Sequence, residues 1–380
     1  MSIPYHLINP PAFVLDESAL RRNLELINRI QKEAGVSFIL AFKGFSMWSA
    51  FPIVREYVKG ATASSLHEAL LCYEEMGVKA HTYAPAYIPA EFHRIMELSS
   101  HISFNSISQY ERFREQVRNY PQHISCGIRV NPEWSDVETD LYNPASPTSR
   151  LGELYENFNG ILPEGIEGLH FHVLCESTSF ALETVLENLE KRFGNFLKQI
   201  KWLNMGGGHL VTKSSYNVEH LIQVLKKFKQ KYPQLDIILE PGSAFAWETG
   251  DLVTSVLDIV DHRGVKTVII DASFTAHMPD TLEMPYKPKI EGARDPHEGE
   301  TGVRIGGSSC LAGDYKGDYV FEKELKPGEL IVFKDMIHYT MVKTTTFNGV
   351  KHPDICIYRM DGIIEVVKKF GYLDFKNRLS

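Results

Sequence analysis

The sequence predicts an α/β protein: a (β/α)8 TIM-like barrel followed by a C-terminal all-β domain. Three observations carry that expectation. Eight short β-prone runs alternate with helix-like stretches between residues 37 and 242. After about residue 250 the helical pattern stops and strand-like runs follow one another. The chain of 380 residues is also long for one compact domain.

The eight runs are SFILAFKG (37–44), ATASS (61–65), HTYAP (81–85), HISFNS (101–106), SCGIRVNP (125–132), GLHFHV (168–173), WLNMGGG (202–208) and DIILEPG (236–242). Between them, stretches such as SLHEALLCYEEMG and VEHLIQVLKKFKQKYP carry apolar residues three or four apart and finish on Gly or Pro, as helices do. An open doubly wound sheet reads similarly, but eight consecutive units favour closure. The widest interval, 133–167, reads as an inserted active-site loop. Beyond it, DLVTSVLDIVDH, KTVIIDAS, GVRIGGSSC, DYVFEKEL, ELIVFKDM, MVKTTTF and DICIYRM read as strands joined by turns. The early PAFVLD is strand-like too and is expected to pair with them. The expected domains are a barrel over 30–250 and a β-rich domain from 1–29 and 251–380.

The composition excludes several function classes. A formal net charge of −8 argues against a nucleic-acid partner and is compatible with a cationic small molecule. No apolar run is long enough to span a bilayer, so no membrane partner is expected. The start, MSIPYHLINPPAFVLDES, lacks the basic and apolar regions of a secretory signal. The five cysteines (Cys72, Cys126, Cys175, Cys310 and Cys356) are odd in number, scattered, and without zinc-site spacing. No disulfide framework or metal is expected, and a cytoplasmic location is.

Barrel enzymes place their chemistry at the C-terminal ends of the strands. Those ends here carry Lys43, Ser64, Ser65, Asn105, Arg129, Asn131, His170, His172, Gly206 to Gly208, Glu240 and Gly242. Lys43 follows the apolar run ILAF; it is either a snorkelling edge lysine or a desolvated amine suited to forming an imine. Glycines after two adjacent strands, at 206–208 and 242, suit a phosphate approached by backbone N–H groups, although tight packing alone also selects glycine. Glu240 ends an apolar strand, where a charge needs a partner: an ordinary salt bridge or a protonated ring nitrogen. His170 and His172, two apart on one strand, face the same side. In the second domain Cys310 lies in a Gly/Ser-rich loop with Asp314 four residues on, and Tyr339 follows a histidine in DMIHYTM.

AFKG, HFHV, MGGGH, EPGSAF, GSSCLAGD and HYT occur in an order that resembles the fold-type III, alanine-racemase-like, pyridoxal-phosphate (PLP) decarboxylases, over about residues 10 to 370. Within that family, AFKGFSMWS, HFHVLCES and DASFTAHMPD resemble the carboxynorspermidine/carboxyspermidine decarboxylase branch. The resemblance implies pyridoxal 5'-phosphate as cofactor, with Lys43 as the Schiff-base lysine and His172 stacked on the ring. It implies Gly207, Gly208 and Gly242 in the phosphate turns, Glu240 at the ring nitrogen and Tyr339 near the phosphate. Cys310 resembles the cysteine that enters the site from the other subunit, with Asp314 contacting substrate, and the implied assembly is a homodimer with shared sites. Ser243 stands where ornithine and diaminopimelate decarboxylases carry Arg, Leu174 and Cys175 replace Gly-Ser, and Asn204 replaces Asp; these departures point to the polyamine branch.

The implied reaction is decarboxylation of carboxynorspermidine or carboxyspermidine in polyamine biosynthesis. A polycationic substrate calls for acids at its far end, and Glu176, Asp280 and Glu283 are the candidates, with His277 close by. The alternatives are a diaminopimelate, ornithine or arginine decarboxylase, an amino-acid racemase, a non-enzymatic PLP carrier, or a PLP-free phosphate-binding barrel enzyme.

Overall fold

In the computed structural model, which describes residues 3–137, 143–284 and 286–380, one run of backbone bonds to both of its neighbours and closes a barrel. Strands Ser37–Phe38 and Leu40–Ala41 are two halves of that run, parted at Ile39. On one side Ile39 and Ala41 donate to the carbonyls of Leu239 and Pro241, at 2.9 and 3.1 Å; on the other, Leu40 donates to Gly60 at 3.0 Å. The remaining staves are Ala61–Ala63, Ala80–Tyr83, Ser99–Phe104, Ser125–Arg129, Ile166–His170, Trp202–Asn204 and Asp236–Leu239. Each pairs in parallel with the next in chain order. This is the (β/α)8 architecture expected from the alternation.

Local chemistry starts the helices. Ser65, Ser106, Thr178 and Asn217 are N-caps whose side chains accept the N–H of Glu68, Gln109, Ala181 and His220. One of the polar strand ends therefore has a structural use: Ser65 caps the helix Leu66–Leu71, and next to it the backbone N–H of Ser64 donates to Glu68 Oε2. The barrel floor is filled by Trp202. Its indole lies over Gly168, where a Cβ would come within 2.0 Å of the ring, and its Nε1 donates to Ser125 Oγ at 2.8 Å.

Several staves stop earlier than their sequence runs. GLHFHV is strand only through His170, so His172 lies beyond the strand instead of on it. Phe171 still donates to Asn204 O, but the carbonyl of His172 is taken by Arg129 Nη2 at 2.8 Å, which ends the ladder. Residues 138–142 of the expected inserted loop fall outside the described residues. Glu153, further along it, exchanges backbone hydrogen bonds with Arg129 and Asn131 at the strand end.

The chain divides into the unit Asn23–Phe245, which holds the barrel, and a unit of Met1–Arg22 with Ala246–Ser380. The second is a mixed sheet organised on the 13-residue strand Gly250–His262. Ala12–Asp16 lies between that strand, antiparallel, and Asp354–Tyr358, parallel, which explains its four consecutive buried residues. The sheet departs from the sequence expectation in two places. MVKTTTF is a series of turns, because Lys343 folds back on the Tyr339 carbonyl and Thr345 donates to Ala276 at 2.7 Å; tertiary bonds override the β propensity of three threonines. Ile364–Lys368 is an additional strand, paired antiparallel with Asp354–Tyr358. Among the described residues, no helix is long and apolar enough to cross a membrane, and no His/Cys/Asp/Glu cluster could hold a metal.

Candidate active site

Four strand ends of the barrel converge on one amine. Lys43, half-buried just beyond Ala41, has its Nζ 3.2 Å from His172 Nε2. The other ring nitrogen of His172, Nδ1, accepts the Gly207 N–H at 2.8 Å. Burial pulls the Lys43 pKa below the ordinary lysine range; Glu240 opposes that shift and Arg129 reinforces it. Burial, Lys43 and Arg129 likewise drive His172 well below the usual histidine range, so it is neutral at pH 7.

Glu240 is buried among these groups. Asn204 Nδ2 donates to its Oε2 at 2.8 Å, while the side-chain Oδ1 of Asn204 accepts the Gly206 N–H at 2.8 Å. His170 Nε2 lies 3.2 Å from Glu240 Oε1 without the alignment of a hydrogen bond. Burial alone would raise the carboxyl pKa, but the polar groups around Glu240, the Asn204 hydrogen bond among them, outweigh it and hold it below the usual carboxylate range. Burial also depresses His170, leaving it neutral at pH 7, so the Asn204 amide is the partner on which the ionised Glu240 rests. Asn204 and Arg129, with no role assigned from sequence, thus each hold a group of the site. Nothing in the sequence marks Tyr83, because an aromatic in a strand reads as packing; its hydroxyl donates to Asn105 at 2.8 Å and the Arg129 guanidinium lies 4.8 Å from its ring centroid. Only the density of polar residues at the strand ends signalled this cluster.

The glycines are required by backbone contact. Gly206 and Gly208 have φ of +69° and +85°, and a Cβ on Gly207 would stand 2.6 Å from the Glu240 carbonyl. Gly242 meets Gly44 backbone to backbone, a Cβ there coming 2.8 Å from Gly44 Cα. Glu176 is exposed, at φ +50°, after exposed Cys175.

The remaining candidates belong to the sheet unit. Cys310 is exposed, and its N–H donates to Asn348 Oδ1 at 2.8 Å. Asp314, in the same loop, is buried: its two carboxylate oxygens accept the N–H of Thr275 at 3.0 Å and of Ser309 at 3.1 Å. His277 is fully buried, with Nδ1 accepting the Ser273 N–H and Nε2 unpartnered; burial lowers its pKa to about 3. Asp280 Oδ2 accepts from Tyr286 at 2.8 Å and Thr340 at 2.7 Å, whereas its buried Oδ1 has no partner. Glu283 is exposed and pairs with Lys343. Tyr339, next to Thr340, is held at φ +45°, a conformation costly for an aromatic residue.

A low-pKa amine, a buried ionised carboxylate and two glycine turns form a donor set that fits PLP: the amine suits its aldehyde and the carboxylate its ring nitrogen. The comparisons agree. Residues 12–337 match the family described as pyridoxal-dependent decarboxylase, C-terminal sheet domain. Carboxyaminopropylagmatine decarboxylase of Synechocystis sp. is 50% identical over 370 residues, spanning 97% of this chain and 95% of that one. Carboxynorspermidine/carboxyspermidine decarboxylase of Campylobacter jejuni is 42% identical over 385 residues, spanning 98% and 99%. The crystal structure of carboxynorspermidine decarboxylase complexed with norspermidine, also from Campylobacter jejuni, superposes with a TM-score of 0.90 at 41% identity, covering 98% of this chain and 100% of that one. With its barrel, its sheet unit and this strand-end cluster, the chain belongs to the pyridoxal-dependent decarboxylases.

Proposed function

We propose that this chain removes the α-carboxylate of a carboxylated polyamine, of the carboxynorspermidine or carboxyspermidine type, releasing norspermidine or spermidine. The observation that carries the reading is the Lys43 amine, depressed in pKa and 3.2 Å from His172, in a cluster that also holds the ionised Glu240. When bound, PLP supplies a protonated ring that accepts the electron pair left as the Cα–carboxylate bond breaks to CO2. Glu240 keeps the ring nitrogen protonated, and Asn204 keeps Glu240 ionised and aimed. His172 presents a flat face for the ring, and the turns at Gly207, Gly208 and Gly242, with Tyr339, serve the phosphate. Lys43 is the covalent anchor. Cys310, whose exposed thiol lies in a loop stapled by Asp314, donates the proton to Cα.

For the substrate's far end, Asp280 is the acid best suited, because a buried carboxylate oxygen without a partner favours an incoming cation. Exposed Glu176 and Glu283 are secondary, and His277, fully buried, shapes the segment that carries Asp280. Asp314 acts on substrate through the loop, since both of its oxygens already accept backbone N–H groups. A guanidinium-ended substrate is the second reading, favoured by the relative at 50% identity, whose name carries agmatine. The active form we infer is a homodimer in which the sheet unit of one subunit serves the partner's lysine. A cytoplasmic setting suits its five free cysteines.

Borohydride reduction of the yellow protein tests the core of the reading: a pyridoxyl group should be fixed on Lys43 and absent from Lys43→Ala. Colourless protein that takes up no added PLP would sink it. Assays with carboxynorspermidine, carboxyspermidine and carboxyaminopropylagmatine then rank the substrates by kcat/KM. Mixing inactive Lys43→Ala and Cys310→Ala proteins should recover about a quarter of wild-type activity if sites are shared; no recovery would place both residues in one chain.

A further inference from the structure

The backbone N–H of Gly207 can only donate, and it points at His172 Nδ1 from 2.8 Å. Nδ1 therefore carries no proton, and the single proton of the neutral ring sits on Nε2. Lys43 Nζ lies 3.2 Å from that same Nε2. Two N–H groups set against each other would repel, so the amine must turn its lone pair toward the ring. We propose that Gly207 and His172 form a hydrogen-bond chain that holds the free Lys43 side chain as a neutral amine, which makes His172 a positioning residue for the lysine nucleophile. The importance of this chain rests on the reading of Lys43 as the cofactor lysine; its geometry does not.

The surroundings act in the same direction. Arg129 is buried, donates Nη2 to the His172 carbonyl at 2.8 Å, and has no carboxylate at ion-pair distance among the described residues. Its fixed positive charge disfavours both an ammonium on Lys43 and an imidazolium on His172. His170 and His209 also oppose protonation of His172. Glu240, Cys175 and Glu68 favour the ammonium, and burial outweighs them. The consequence is kinetic. A free lysine is neutral about once in 10³ molecules at pH 7, whereas only the neutral amine can attack a carbonyl carbon.

Two measurements on the full-length protein, resolved of cofactor, test the chain without reading catalysis. Trace acetylation with acetic anhydride from pH 5 to 11, read lysine by lysine by mass spectrometry, reports the neutral fraction: the amide forms at Nζ and acetate leaves. Lys43 should acetylate at a lower pH than the lysines exposed at the surface, in the direction its burial sets. In ¹⁵N-histidine spectra, the signal lost in His172→Gln should show the neutral Nε2–H tautomer from pH 6 to 9. His172→Phe keeps a flat ring without a donor, and should raise the Lys43 midpoint by about one unit, a tenfold change, relative to His172→Gln. Lys43 titrating with the exposed lysines, a proton on His172 Nδ1, or equal midpoints in the two variants would each overturn the chain. The first needs no variant to fold. Failure to trap pyridoxyl on Lys43 would sink the functional reading and leave these results standing.

Discussion

Glu240 and Asp280 show how far one carboxylate can differ from another. Glu240 is buried with no Lys or Arg at ion-pair distance among the described residues, so the ordinary salt bridge is not its explanation. The Asn204 amide supports its charge and leaves it available to a cation from outside the chain. Asp280 is buried too, but two hydroxyls saturate Oδ2 and leave only Oδ1 open. Oδ1 alone suits a single ammonium group, whereas a bidentate guanidinium needs both oxygens. Asp280→Asn should therefore raise KM for a carboxylated polyamine by roughly 10–100-fold with a smaller change in kcat, as expected for loss of a binding contact. Equal losses in kcat for polyamine and short amino-acid substrates would assign Asp280 a folding role instead.

Among the elements, the turn at 206–208 is the most constrained. Its sequence, three glycines after a strand, suggested backbone approaching a ligand; in the structure the backbone it approaches is protein, from Phe171 to Cys175 and Glu240. Gly208→Ala adds a Cβ 2.1 Å from the Leu174 carbonyl at φ +85°, and should cost about 1–3 kcal/mol beyond Gly160→Ala, which meets nothing within 4 Å at φ +76°. Urea unfolding of the two variants measures the gap, and equal midpoints would mean that the turn yields. The same turn explains why GLHFHV misleads. Period-two alternation places His170 and His172 on one strand face, yet the second leaves the ladder so that its ring can meet Gly207 and its carbonyl Arg129. A strand end next to a site is set by such partners, which lie far away in sequence.

At the scale of the molecule, buried histidines set the acid limit. Burial holds His81 at about 3, and His101 and His209 at about 4. Each is neutral when folded and takes up a proton in the unfolded chain below about 6.5. The unfolded state then binds more protons, so stability is full above about pH 6.5 and declines as the pH falls toward 4. Glu240, depressed to about 2, adds a loss of the same sign only below about 4.3. Thermal midpoints should drop between pH 7 and pH 5, and His81→Asn should flatten that slope. A midpoint constant from pH 7 to 4.5 would refute this account.

The order of the eight staves, the change of pattern near residue 250 and the residues around Lys43 are legible in the sequence alone. Hydrophobic periodicity is local, and a barrel assembled from consecutive parallel units keeps spatial order equal to chain order. His172, Gly207 and Glu240 stand out for the same reason, as polar or glycine positions where apolar runs end. What only the tertiary structure decides is which partner each group meets. Asn204 looked like a mere substitution and proves to hold Glu240. Arg129 looked like one more strand-end charge and proves to pin His172. Asp314 is expected to contact substrate, yet its oxygens are spent on the N–H groups of its own loop and of Thr275. The threonine run after Tyr339 looked like a strand and is bent by bonds to residues some 70 positions earlier. Hydrogen bonds between side chains and distant backbone leave no periodic mark on a sequence, because their specificity lies in direction and distance once the chain has closed.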